Sequence, residues 1–180
     1  MPVIPYVPED IREPQDLVDA IRARRGGSLL NLDRMLLHSP ALAGGWNSFL
    51  RTIRTELDLS PKLRELAICA VARLNGAEYE FRQHAPFFLK AGGTAVQAEA
   101  LGRVGLPDFN VSLFDAPELA VLQLTVEMTR AVQVRPETMA SILAALPDDR
   151  HVVEIVGVIA TYNMVSRFLV ALGVEPEGEK

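Results

Sequence analysis

The stretch Leu63-Arg64-Glu65-Leu66-Ala67-Ile68-Cys69-Ala70-Val71-Ala72-Arg73-Leu74-Asn75-Gly76-Ala77-Glu78-Tyr79-Glu80-Phe81-Arg82-Gln83-His84 decides the fold. From Leu66 to Ala72 every residue is apolar, so a helix here is hydrophobic on all sides and belongs at the centre of a packed domain. Asn75-Gly76 supplies residues that accept left-handed backbone and ends that helix. The next helix is expected from about Ala77 to Ala91, stopped by Gly92-Gly93. Glu65 stands just before the apolar run and shares a stripe with Cys69 and Ala72, so its carboxylate is partly desolvated. Burial there raises a carboxyl pKa and a neighbouring cation lowers it. Glu80 and His84, four residues apart, meet on one face of the second helix with Phe81 and Phe88 beside them.

Outward from this pair the chain reads as helices throughout. No sustained period-2 alternation marks a strand, and helix starts recur at short intervals. Ser39-Pro40 and Ser60-Pro61 each place a capping residue before a proline in the first turn, where a missing N–H costs nothing. A helix over about 15–25 ends at Gly26-Gly27, Ser28 can cap the next, and Thr94 starts a short one to about Val104. Residues 105–115 form the longest loop. Ala116-Pro117, Pro136 and Asp148-Asp149 open later helices, the last reaching Leu172. The expectation is an all-α fold of about seven or eight helices with short connections. Residues 1–28 read as an arm and helix, 29–174 as the main domain, and 175–180 as a polar, frayed tail.

The 180 residues suffice for one domain with a real core, and 49% hydrophobic content with mean hydropathy +0.16 excludes a disordered chain. The net charge is −5 and the densest basic group is Arg22/Arg24/Arg25, which gives no nucleic-acid footprint. A single cysteine, Cys69, excludes an intrachain disulfide, a Cys-based zinc site and a two-thiol redox cycle. His38, His84 and His151 show no ligand spacing, so no metal is expected. The start of the sequence lacks the basic and apolar regions of a signal peptide, which makes the cytoplasm the expected location. Val152–Leu172 is the longest apolar stretch, yet it carries Glu154, Asn163 and Arg167 and reads as a helix buried in protein instead of a membrane span. That segment and Leu29–Leu37 are more apolar surface than one domain easily hides, so a homo-oligomer is expected.

Taken singly, the candidate residues have ordinary readings. Glu65 is an acid in the favoured early part of a helix, His84 a satisfied core histidine, Cys69 an inert packed thiol, and Tyr79 and Trp46 packing residues. Their order carries more. Glu65, then Ala77, Glu80 and His84, resembles the core of the carboxymuconolactone decarboxylase family, which includes the alkyl hydroperoxidase D-like proteins. His38-Ser39-Pro40 before a helix with Trp46, Arg64-Glu65-Leu66-Ala67-Ile68, and Asn75-Gly76-Ala77-Glu78-Tyr79-Glu80-Phe81 support the resemblance over residues 36–93. A looser likeness continues at Tyr162-Asn163-Met164-Val165-Ser166-Arg167, and residues 1–28 lie outside it.

In the hydroperoxidase branch of that family a Cys-x-x-Cys pair precedes the histidine, and glutamate and histidine relay protons. Here the thiol positions are Ala77 and Glu80, so peroxide reduction through a disulfide cannot run. Cys69 lies in the preceding helix amid apolar residues and cannot stand in. The resemblance therefore implies the decarboxylase branch: cofactor-free acid–base chemistry on a small carboxylated lactone or related acid from aromatic-compound breakdown. It implies Glu65 and His84 as the acid–base pair, with Glu65 or Glu80 orienting His84. Among Arg64, Arg73, Arg82 and Arg167, it favours Arg167 for holding an anionic organic substrate, with Tyr79 and Trp46 lining the site. It also implies assembly into trimers or hexamers. Two alternatives stand beside it: a hydroperoxidase-like activity, and a non-catalytic ligand-binding oligomer on the same scaffold. Glu65 and His84 within hydrogen-bond reach beside an enclosed pocket would favour the enzyme.

Overall fold

Four of the α-helices open on a proline in the first turn, as Ser39-Pro40 and Ser60-Pro61 predict. In a computed structural model that describes residues 1–178, the elements run α1 (Gln15–Arg25), α2 (Asn31–Leu36), α3 (Pro40–Thr55), α4 (Pro61–Leu74), α5 (Glu78–Lys90), α6 (Ala95–Ala100), α7 (Ala116–Arg130), α8 (Pro136–Ala145) and α9 (Asp149–Leu172). Short 3₁₀ turns at Leu101–Arg103 and Val111–Leu113 break up the connection between α6 and α7. The fold is all-α. Among the described residues there are nine α-helices against the expected seven or eight, and two of them, α2 and α6, are only six residues long.

The chain divides into two compact units, Met1–Leu57 with Ala171–Lys180, and Asp58–Val170. The first unit continues past residue 28, where the sequence suggested a boundary. Arg34 donates from Nε to the Val7 carbonyl, and Arg22 donates to the carbonyls of Glu9 and Ile11, so the arm is laced to the helices that follow it. The expected cap at Ser28 is not used. Leu30 is the N-cap residue of α2, and its N–H donates to Asp33, a buried carboxylate that Arg25 also grips at 2.9 Å. Leu32, Met35, Leu36 and Leu37 are all buried, so this apolar segment is covered within its own chain. The tail is also tied down as far as Glu177. Glu175 donates its N–H to the Tyr6 hydroxyl, and Asn31 donates to the Glu175 carbonyl and to Glu177.

In the second unit α4 is central, packed against α5, α7 and the 3₁₀ turn at Leu101–Arg103. Every residue from Glu65 to Ala72 is buried, as a helix apolar on all sides requires. Phe88 fills the space where α5 ends, so close to Gly93 that a Cβ there would lie 2.4 Å from the ring. Glu118 ties three helices together: it takes Lys62 at 2.6 Å and Gln97 at 3.2 Å while capping the start of α7. Only Gly76 of the Asn75-Gly76 pair is left-handed, with φ +65°. Asn75 acts through its side chain instead, donating to Asn163 Oδ1 at 3.1 Å and Ser166 Oγ at 2.6 Å on α9. Asn163 in turn donates to Thr129 on α7.

Among the described residues α9 is the one helix long and apolar enough to cross a membrane, and half of its apolar window is buried. Its buried side carries Thr161, Tyr162, Asn163 and Ser166, while Val153 and Met164 are exposed.

Asn163→Ala should cost about 1–3 kcal/mol, because it strands the buried Thr129 hydroxyl and removes one acceptor from the half-buried Asn75 amide. Urea unfolding measures it, and a loss below about 0.5 kcal/mol would contradict this role for the network.

Candidate functional site

α4 presents Glu65 and α5 presents His84, and the tight turn at Gly76 folds the two helices back on each other. Glu65 and His84, nineteen residues apart in sequence, meet at 2.7 Å between Oε2 and Nδ1. Both are about 5% exposed. Arg64 donates from Nε to the other oxygen of the same carboxylate, at 3.2 Å. Burial pushes the Glu65 carboxyl up, but the hydrogen bond and charge of His84, followed by Arg64, outweigh it and hold the group below its ordinary value. Glu65 is therefore ionised at neutral pH and can only accept. The His84 proton accordingly lies on Nδ1.

The imidazole is packed on its other sides by rings. Tyr162 meets it edge-on at 4.9 Å, and Phe87 lies 6.1 Å away at 52°. Tyr162 is fully buried, whereas Phe87 is 57% exposed and brings the surface to the edge of the pair. Glu80 is 1% exposed, one turn before His84, and close enough to Cys69 to act on its thiol. Burial pushes the Cys69 thiol well above its ordinary value, and Glu65 and Glu80 push it further, against an opposing pull from Arg73. A thiol held protonated in this way is a poor nucleophile.

Tyr79 is buried in α5. Trp46 is buried in α3. Arg167 is turned onto its own helix, donating from Nη1 to the Asn163 carbonyl at 2.8 Å and to Asn163 Oδ1 at 2.7 Å. The arginine on the pair is Arg64. Adjacent helical side chains diverge, which hides this contact from a reading of helix faces. Tyr162 carried only the family likeness, and nothing in its spacing pointed to His84. A separate open cleft of about 1140 Å³ runs between residues 104–111, α7 and α8, and neither Glu65 nor His84 lines it. Among the described residues no group of three or more His, Cys, Asp or Glu side chains could hold a metal ion.

The profile of the carboxymuconolactone decarboxylase family matches residues 40–116, the segment that holds α4, α5 and the Glu65–His84 pair. The fold of the chain is that of the alkyl hydroperoxidase D-like proteins. An uncharacterized peroxidase-related protein from Silicibacter sp. TM1040 superposes with a TM-score of 0.79 at 19% identity, over 98% of this chain and 91% of that one. An uncharacterized peroxidase-related protein with an alkylhydroperoxidase AhpD core, from Ralstonia eutropha JMP134, gives 0.80 at 17% identity over 97% and 91%. The debrominase Bmp8 in complex with 2,3,4-tribromopyrrole gives 0.76 at 15% identity over 99% and 95%. No protein of curated function matches the sequence.

Because folding depresses the Glu65 pKa below 4.5, its contribution to stability is complete above pH 4.5 and is lost as pH falls through the folded value. Wild-type protein should lose urea midpoint on acidification below that pH, and Glu65→Gln should lose less over the same interval. Equal acid sensitivity of the two would contradict the pairing.

Proposed function

We propose that this protein is a cofactor-free acid–base enzyme of the decarboxylase type, acting on a small carboxylated lactone or a related acid from aromatic-compound breakdown. The observation that carries the reading is the buried 2.7 Å contact between Glu65 and His84. One shared fold serves peroxidase-related proteins and a debrominase, so the site must decide the chemistry. At this site the thiol positions are Ala77 and Glu80, and Cys69 is buried with its thiol pushed up, which argues against a disulfide cycle.

In this reading the carbon–carboxylate bond of the substrate breaks and CO₂ leaves. The electron pair enters the lactone carbonyl as an enolate, and protonated His84 returns one proton to carbon from Nε2. Glu65 holds the imidazole by Nδ1 and stabilises its charged form, much as a carboxylate orients a catalytic histidine elsewhere. Glu80 adds a second buried carboxylate one turn from the ring. Solvent then restores the proton to His84.

CO₂ release from a panel of carboxylated lactones and β-keto acids tests this directly. On the accepted substrate, His84→Gln and Glu65→Gln should each lower turnover by about 10²-fold or more, with folding retained. Full turnover by His84→Ala would overturn the reading. So would reduction of an organic hydroperoxide with a dithiol donor that Cys69→Ser abolishes.

A further inference from the structure

We infer that Arg64, and not Arg167, receives the carboxylate of the substrate, a role that rests on the acid–base reading of His84. The guanidinium and the imidazole flank one carboxylate: Arg64 Nε lies on Glu65 Oε1 at 3.2 Å and His84 Nδ1 on Oε2 at 2.7 Å. Nε is one of five donors on the fork. Among the described residues the four donors on Nη1 and Nη2 have no protein acceptor, and the side chain is 14% exposed. A planar fork with two adjacent N–H edges matches a carboxylate, and one already anchored by Nε loses little freedom when it binds.

The other three arginines weighed for this role are committed elsewhere. Arg73 lies 3.4 Å over the Phe81 ring and bonds Glu78, and Arg82 bonds Glu78 as well. Arg167 is spent on Asn163. Arg64 alone of the four engages the Glu65–His84 pair. With His84 protonated, the trio of Arg64, Glu65 and His84 carries one net positive charge. Phe87, exposed beside His84, offers an apolar face to the rest of a small ring.

The bound carboxylate is one that the reaction retains. Pairing the departing carboxylate with a guanidinium would stabilise the ground state against loss of its charge and slow the step.

The probe is γ-butyrolactone-γ-carboxylate, with its methyl ester as the neutral control. Binding to the full chain is read from the His84 ring signals by NMR and, in parallel, by calorimetry. Wild-type protein should bind the acid about tenfold or more tightly than the ester. Arg64→Met should abolish that preference, and Arg64→Lys should keep part of it, because the charge remains and the fork is lost. Arg167→Met should keep the preference in full. A merely structural Arg64, needed to hold Glu65, would weaken acid and ester alike. The inference is overturned if wild-type protein does not prefer the acid, if it binds neither, or if Arg64→Met retains the preference. His84→Gln separates the two claims: it should lose turnover and still prefer the acid, since Arg64 is intact. Preference for the acid with undiminished turnover in His84→Gln would sink the acid–base reading and leave the anion site standing.

Discussion

The carboxylate of Glu65 is an ion placed among apolar helices, and the surrounding site is arranged to offset the cost of putting it there. Desolvation of a carboxylate costs several kcal/mol even after the protein relaxes around it. Glu65 is compensated on both oxygens, by the imidazole of the next helix and by the guanidinium of the preceding residue. The net outcome is a carboxyl held below its ordinary value in spite of burial. That makes the group a fixed acceptor. A fixed acceptor dictates which ring nitrogen of His84 bears the proton.

This compensation depends on α4 and α5 staying in register. Gly76 supplies the left-handed residue of the turn between them, and Asn75 locks the end of α4 to Asn163 and Ser166 on α9. The same helix lays Tyr162 against the edge of His84. A single run on α9 therefore anchors the turn and walls the imidazole. Cys69 lies inside this arrangement, where burial first, and then the charges of Glu65 and Glu80, keep its sulfur protonated. The electrostatics that suit a proton-carrying histidine are those that disable a thiol.

Much of this was legible beforehand. The apolar run Leu66–Ala72 identifies the central helix and Asn75-Gly76 the break after it, while the choice of Glu65 and His84 as a pair comes from the family resemblance. The run and the break are encoded locally, in periodicity and in backbone-specific residues. What was not legible depends on side-chain reach and long-range placement. Arg64 contacts the carboxylate of its own neighbour, which a helical wheel assigns to a different direction. Arg167 was favoured because it lies in a stretch that resembles the family, yet Asn163 one turn earlier takes its guanidinium. The tail was expected to fray from its polar composition, but Glu175 and Glu177 find partners in Tyr6 and Asn31, more than 140 residues away in sequence.

The central claim is that Glu65 and His84 form one coupled unit with the proton on Nδ1. Long-range ¹H–¹⁵N correlation spectra of the His84 ring, recorded through a pH titration of wild-type protein and Glu65→Gln, test it most directly. The account predicts that neutral His84 is the Nδ1–H tautomer in the wild type, and that its titration changes when Glu65 loses its charge. A neutral ring protonated on Nε2, or a titration that Glu65→Gln leaves unchanged, would contradict it.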